Sequence, residues 1–306
     1  MSEVLVLSAQ DVRALLTIDE CIAAVEDAFR ARAIGPASLS LHVDGGAFHV
    51  KAAAIDKAFA VKVNGNFFDN PARGLPRIQG VVMFADATNG RPLAILDSIA
   101  ITILRTGAAT AVATKYLARR DARTLLICGC GLQGRISIES IRRVRDIGEL
   151  LLFDVDRPRA ESLARDSGGT VVDSIVPADI IVTCTPSRRA FLGDAPPGAF
   201  IAAVGADSSE KQELEPALMA SSTVIVDDLA QCASFGDLRG AIAARAMTER
   251  DVRGTLADVV AGRITRRSDE EVVIFDSTGT ALQDVAATAI VYARALALGV
   301  GVRVAL

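Results

Sequence analysis

The ten residues Leu125–Gly134, reading Leu-Leu-Ile-Cys-Gly-Cys-Gly-Leu-Gln-Gly, constrain this chain more than any other stretch. An apolar run leads into Gly-x-Gly-x-x-Gly at Gly129, Gly131 and Gly134, and a helical pattern follows from Arg135 to Val144. Strand, tight turn and helix in that order are what a dinucleotide pyrophosphate needs. Gly129 lets the chain turn, Gly131 lets backbone N–H groups approach phosphate, and Gly134 lets the helix pack on the strand. A second apolar run, Leu150–Phe153, ends in Asp154, where a carboxylate would accept both hydroxyls of a ribose. The competing reading is a tight turn in a flavodoxin-like fold that holds no nucleotide.

Strand-like runs at Thr124–Cys128, Leu150–Phe153, Ile180–Cys184, Phe200–Val204, Thr223–Val226 and Val272–Phe275 are separated by helical stretches. That alternation predicts an α/β fold, a doubly wound parallel sheet of the Rossmann type. Before it, Ser8–Asp11 and Thr17–Glu20 are capping boxes that open two helices, the second expected to run to about Ala33 and stop at Gly35. Short β-like runs follow at Leu41–Val43, Phe48–Ala53, Phe59–Val63, Val81–Phe84 and Pro92–Leu96, with a hairpin signal at Asn89-Gly90. Ile99–Leu117 then reads as a long helix, and Thr280–Leu298 as one that returns to the first domain. The expected division is an α+β substrate-binding and dimerisation domain, 1–118 plus 285–306, with a dinucleotide domain, 119–284, inserted in it.

Composition excludes several classes. Apolar residues make up 51% of the 306, and mean hydropathy is +0.36, yet no stretch approaches the ~20 uninterrupted apolar residues of a membrane span. The surplus suits parallel strands buried on both faces and a large subunit interface. A net charge of −4 without a basic tail argues against nucleic acid. Two histidines and five cysteines form neither a zinc set nor a disulfide framework, and Met-Ser-Glu does not open a signal peptide. No metal and no membrane are expected, and the expected location is a reduced cytoplasm.

Cations gather in the first domain at His49, Lys51, Lys62, Arg73, Arg77 and Arg105. Lys62 lies between apolar neighbours in a strand, and Arg105 on a helix face among Ile101, Leu104, Ala108 and Ala109. An unpaired buried ion costs several kcal/mol, so two such cations converging would seat a substrate carboxylate, with Arg105 giving a bidentate grip. The alternatives are a solvated strand face for Lys62 and a salt bridge to a helix acid for Arg105. Hydride transfer also needs a proton carrier, and Asp207, after the run Phe200–Val204, is the candidate. Its alternative is a turn or capping acid, with Lys211 opening the next helix.

Together these residues resemble the ornithine cyclodeaminase/μ-crystallin family over nearly the whole chain. The likeness is carried by Asn70–Pro76, Leu104–Ala109, Lys115–Arg119, Gly129–Gln133, Thr185–Arg188, Val204–Asp207, Lys211–Leu214 and Phe275–Gly279. It implies a homodimer and a small amino- or imino-acid substrate whose α-carboxylate is held by Lys62 and Arg105. Asp207 would hold or protonate the substrate nitrogen. Gly129, Gly131, Leu132 and Gln133 would bind the pyrophosphate and Asp154 the ribose, with Thr106 or Ser277 near the nicotinamide and Thr185 among the cofactor contacts.

Asp154 favours NAD over NADP, although Arg157 and Arg159 are placed to reach a 2′-phosphate. The chain departs from the family at the Met-Pro-Ala strand, where it reads His49-Val50-Lys51-Ala52-Ala53, and at a threonine site taken by Arg77. His49, Lys51 and Arg77 thus join the candidate substrate contacts. The acid that cyclodeaminases present to a δ-ammonium is missing from that strand, which favours reduction of an α-imino acid such as iminosuccinate, or an alanine-type dehydrogenase, over ornithine cyclisation. Cyclodeamination and a cofactor-dependent binding protein of the μ-crystallin kind are the alternatives.

Overall fold

A computed structural model describes residues 3–31 and 34–305. Both capping boxes form: Ser8 and Thr17 accept from the third residue of their helices, and Asp11 and Glu20 answer to the cap backbone. After β1 (Glu3–Leu7) they open α1 (Ala9–Leu15) and α2 (Ile18–Arg30). The expectation of a longer α2 is corrected: the chain turns extended at Ala31, and Gly35 already lies in a strand, while Ala33 falls outside the described residues. Five strands follow, β2 (Ile34–Val43), β3 (Gly46–Ile55), β4 (Ala58–Phe67), β5 (Ile78–Asp86) and β6 (Pro92–Asp97), then α3 (Ser98–Leu117). Gly90, at φ +76°, closes the β5–β6 hairpin where the Asn-Gly signal stood.

The next stretch alternates as expected. Its elements are β7 (Thr124–Cys128), α4 (Leu132–Ile141), β8 (Glu149–Phe153), α5 (Arg157–Ser167), β9 (Thr170–Val171), β10 (Ile180–Thr183) and β11 (Phe200–Ala203). Then come α6 (Pro216–Ser221), β12 (Thr223–Val226), α7 (Leu229–Phe235), α8 (Asp237–Ala243), β13 (Gly254–Thr255), α9 (Leu256–Val260) and β14 (Val273–Asp276). The chain ends with α10 (Ala281–Leu298) and β15 (Val302–Ala305). Two-residue β9 and β13 are too short to leave a periodic signal, and β15 was hidden by its length and terminal position.

Two compact units result, Met1–Arg105 with Thr280–Leu306, and Thr106–Gly279. They change over at 105/106 and 279/280 rather than at 118 and 284. Gly107 lies against Ile136 and Ser140 of α4, which ties the second part of α3 to the nucleotide-type unit. Asp284 bonds to residues of the first unit, which claims the first turn of α10 for it.

In the second unit, eight parallel strands run in the order β13-β12-β14-β11-β10-β7-β8-β9. From β7 the chain winds outward through β8 and β9, then returns to β10 on the other side of β7. The order therefore reverses beside β7, and α/β sheets bind ligands outside the carboxyl ends of strands at such a point. Leu126, Ile181, Ile201, Val224 and Ile274 form part of the buried core.

The first unit is a seven-stranded sheet, β15-β1-β6-β5-β4-β3-β2, antiparallel except between β1 and β6. Strand alternation sorts its side chains. Leu39, Val50, Val63 and Val81 are paired in a row across four strands on one face, and Leu41 and Phe48 share that face. On the other, Lys51 pairs with Lys62 and His49 with Asn64. The polar face lies under α10, which packs on β3, β4 and α2. Although α10 is long and apolar enough by composition to cross a membrane, half of it is buried against its own unit and it carries Gln283 and Asp284 inward.

Candidate active site

In the first unit, Lys62, mid-strand on β4, and Arg105, on α3, are 4% and 5% exposed. They converge on one carboxylate. Lys62 Nζ lies 2.8 Å from Asp284 Oδ2 and donates to Oδ1 at 3.0 Å, and Arg105 Nε donates to Oδ1 at 3.1 Å. Thr102 Oγ1 accepts from Lys62 at 3.3 Å, and Gln283 Oε1 accepts from Arg105 Nη1 at 2.8 Å. Lys62 is therefore not on a solvated face, and Arg105 does pair with a helix acid, one it shares with a second cation. Burial pulls the Lys62 ammonium down to about 7 against the opposing pull of Asp284. Burial would raise Asp284, but Lys62 and Arg105 outweigh it and hold the acid below its usual range.

Of the other cations, Lys51 is close enough to add to the field on Lys62. His49 Nδ1 is hydrogen-bonded to Ser40 Oγ at 2.8 Å. Arg77 donates from Nε to Asn66 Oδ1 at 3.2 Å and lies 4.2 Å over the Phe68 ring, so part of its donor set is engaged. Arg73 is exposed at the end of a short 3₁₀ turn.

The glycine loop of the second unit has the expected geometry. Gly129 sits at φ +110°, where its N–H reaches Phe153 O at 2.9 Å. A Cβ on Gly134 would lie 2.2 Å from the Gly129 carbonyl oxygen, whereas one on Gly131 would meet nothing within 4 Å. Gly131 is the N-cap of α4 and gives it no side-chain cap, so the helix starts at Leu132, three residues earlier than its periodicity suggested. Expected result: Gly134→Ala costs roughly 1–3 kcal/mol by overpacking, read from denaturant unfolding, and weakens dinucleotide binding as the loop shifts.

Asp154 is in place but already employed. One oxygen accepts from Cys130 N at 2.7 Å and the other from Asp156 N at 2.9 Å, so the carboxylate braces the glycine loop. Arg157 pairs with Glu161 at 3.0 Å and also with Asp173, and Arg159 pairs with Asp156 at 3.3 Å. Asp207 is exposed beyond β11, with Lys211 Nζ 2.5 Å from its Oδ1 and 3.1 Å from Gly205 O. The expected helix at Lys211 is absent: the chain there is extended and pairs with the segment 187–192, and α6 begins only at Pro216. Thr106 is buried on α3.

The largest feature that sequence reasoning missed is a ladder of buried acids beneath the carboxyl ends of the strands. Glu213 Oε1 accepts from the N–H and hydroxyl of Thr185 at 2.6 and 2.7 Å, and its Oε2 from Gly205 N at 3.0 Å. Asp237 Oδ1 accepts the N–H of Glu213 and Leu214 at 2.7 and 2.9 Å. Asp276 takes those of Asp237 and Leu238 at 3.3 and 2.9 Å. Beside them, Asp227 Oδ2 holds Ser277 Oγ at 2.7 Å and Gly279 N at 2.6 Å. Burial pushes Glu213 up to about 7, Asp237 up to about 6, and Asp276 upward too. A Cβ on Gly205 would strike the Glu213 carboxyl at 2.5 Å, and one on Gly236 the Asp276 carboxyl at 2.6 Å, so both positions are glycine to make room for an acid.

The first unit thus holds a cationic cluster, and the second, taken by itself, a braced loop edge. Asp284 had one sequence signal, its place as the one acid in a largely apolar helix. Glu213 had none beyond lying in a recognised stretch. Among the described residues, no group of His, Cys, Asp and Glu is arranged to hold a metal ion.

The chain is similar in sequence and fold to known proteins. An alanine dehydrogenase from Archaeoglobus fulgidus is 36% identical over 318 residues, covering 99% of this chain and 98% of its own. The solved structure of an archaeal alanine dehydrogenase dimer with bound NAD superposes with a TM-score of 0.96 at 35% identity, covering all of both chains. That of the iminosuccinate reductase of Paracoccus denitrificans in complex with NAD⁺ gives 0.89 at 30% identity, again over all of both chains. The model of the ornithine cyclodeaminase/mu-crystallin family matches residues 2–299, and the chain belongs to that family.

Proposed function

We propose that this protein is an NAD-dependent oxidoreductase that interconverts a small α-imino acid and the corresponding α-amino acid. The observation that carries the reading is the pairing of two buried cations, Lys62 and Arg105, with a single buried anion. That imbalance suits a ligand carboxylate, and the relatives named alanine dehydrogenase and iminosuccinate reductase support it.

The second unit fits a dinucleotide. Open space over Gly131 and the uncapped first turn of α4 leave the N–H groups of Leu132 and Gln133 for a pyrophosphate. Asp154 beside them suits free ribose hydroxyls and repels a 2′-phosphate, while Arg157 and Arg159 are engaged with acids, which favours NAD over NADP. Thr185 and Ser277, fixed by Glu213 and Asp227, and Thr106 are the proposed neighbours of the nicotinamide. When bound, NAD supplies the hydride acceptor or donor.

Lys62 and Arg105 hold the α-carboxylate, orient the α-carbon and draw electron density from the imine. Asp207 holds the substrate nitrogen and passes it a proton in the reductive direction. Lys211 keeps that carboxylate in place. Lys51, opposite Lys62, favours an anionic side chain over a diamino acid. The exposed apolar row of Leu39, Leu41 and Phe48 is the proposed homodimer face. Sedimentation of Leu41→Asp should show a monomer where the unaltered protein shows a dimer.

The deciding experiment follows NADH in the presence of ammonia or methylamine with pyruvate, glyoxylate and oxaloacetate, and compares ornithine and cyclic imines. Net NADH consumption with a keto acid and amine is expected. Ornithine consumed without net NADH change would replace this reading with cyclodeamination, and no turnover on any compound would favour a binding protein.

A further inference from the structure

We infer that Asp284 is a positioning residue of the acid-binding site, which aims Lys62 and Arg105 and supports the lysine's charge so that the pair can take a carboxylate. The inference rests on the reading of those two cations as the carboxylate seat. Asp284 is 1% exposed and touches both cations. Its contacts also determine which donors remain.

Arg105 has five N–H donors and Lys62 three. Asp284 takes the Arg105 Nε hydrogen and Gln283 takes one on Nη1. Among the described residues, Arg105 Nη2 makes no hydrogen bond. Lys62 donates to Asp284 and Thr102, which leaves its third hydrogen. The donors left over suit one carboxylate, and the Nε position of the guanidinium is already taken by Asp284. Both anchors of this arrangement, Gln283 and Asp284, sit on one turn of α10 and are fully buried, so they move as a unit with that helix.

The charge argument points the same way. Facing Lys62 and Arg105 are Asp284 from α10, Lys51 from β3 and Cys21 from α2. Burial pushes the Cys21 thiol up to about 12, so it stays neutral. Burial lowers the Lys62 ammonium most, and Arg105 and Lys51 lower it further. Asp284 is the only anion in that set. With Asp284 in place the ammonium stands at about 7; without it Lys62 would shed its proton at a lower pH, and at neutral pH the site would lose one of its two charges.

The test is Asp284→Asn, which preserves shape and removes the charge. Dissociation of NADH, read by fluorescence, should stay within about twofold, since the nucleotide-type loop belongs to another unit. The KM for the amino or imino acid should rise about tenfold or more at pH 8 and less at pH 6, because acid restores the lysine charge. The pH at which KM begins to climb should fall by about one unit or more. A KM unchanged from the unaltered protein, or raised by one factor at every pH, overturns the proposal.

Should Asp284→Asn unfold, the double variant Lys62→Met with Asp284→Asn decides. It should melt above Asp284→Asn alone, because removing both members of a buried pair is milder than removing one. A double variant that melts no higher overturns the pairing. Lys62→Met and Arg105→Ala separate this inference from the reading it rests on. If neither raises the KM, the carboxylate seat itself is wrong. If both do and Asp284→Asn does not, only the role of Asp284 is lost.

Discussion

Arg105→Ala is expected to leave NADH binding intact and to raise the KM for the acid roughly 100-fold or more, because two or more charge-assisted hydrogen bonds of ~1.5–3 kcal/mol each are lost. The change strands no anion, since Asp284 keeps Lys62 at 2.8 Å. Folding should therefore survive, and a thermal melt beside the kinetics would establish that. Arg105→Lys should recover little, since a point charge on a flexible stem does not reproduce the guanidinium fork that Gln283 and Asp284 orient. A KM that stays normal in Arg105→Ala would remove the arginine from the site.

Asp207→Asn has the second-largest expected effect, a fall in kcat of roughly 10²–10⁴-fold with little change in KM. Asparagine can still hold the nitrogen by hydrogen bonding but cannot pass a proton. Its neighbour Lys211 would keep Gly205 O as a partner, so the loop should hold its course. Steady-state turnover with NADH titrated separately by fluorescence gives the answer. Unchanged kcat with normal cofactor binding would return Asp207 to the rank of a turn acid.

Much of this fold could be read in advance because its signals are local. The glycine loop, the capping boxes at Ser8 and Thr17, the Asn-Gly hairpin and the apolar runs of the parallel sheet each depend on a few adjacent residues. The long-range chemistry was harder. Asp284 meets Lys62 across 222 positions of sequence and Arg105 across 179, and no periodicity joins them. Asp154 stood out as a ribose acceptor, while its bracing of the glycine loop through the backbone of Cys130 had no signal in the sequence. The end of α2 failed for a simpler reason, since propensity marks where a helix starts better than where a following strand stops it, and at Lys211 backbone pairing with the segment 187–192 takes the place of the expected helix.

The ladder of acids under the second sheet bears on how this protein can change over evolutionary time. Loops beyond β10, β11 and β14, and the start of α8, are tied to one another through Glu213, Asp237 and Asp276. Gly205 and Gly236 are shaped around those carboxyls. None of the loops can therefore be exchanged with a cousin's on its own; each is a tenant under a joint lease. Transplants should succeed when the acid and its facing glycine travel together, and collapse when either is left behind.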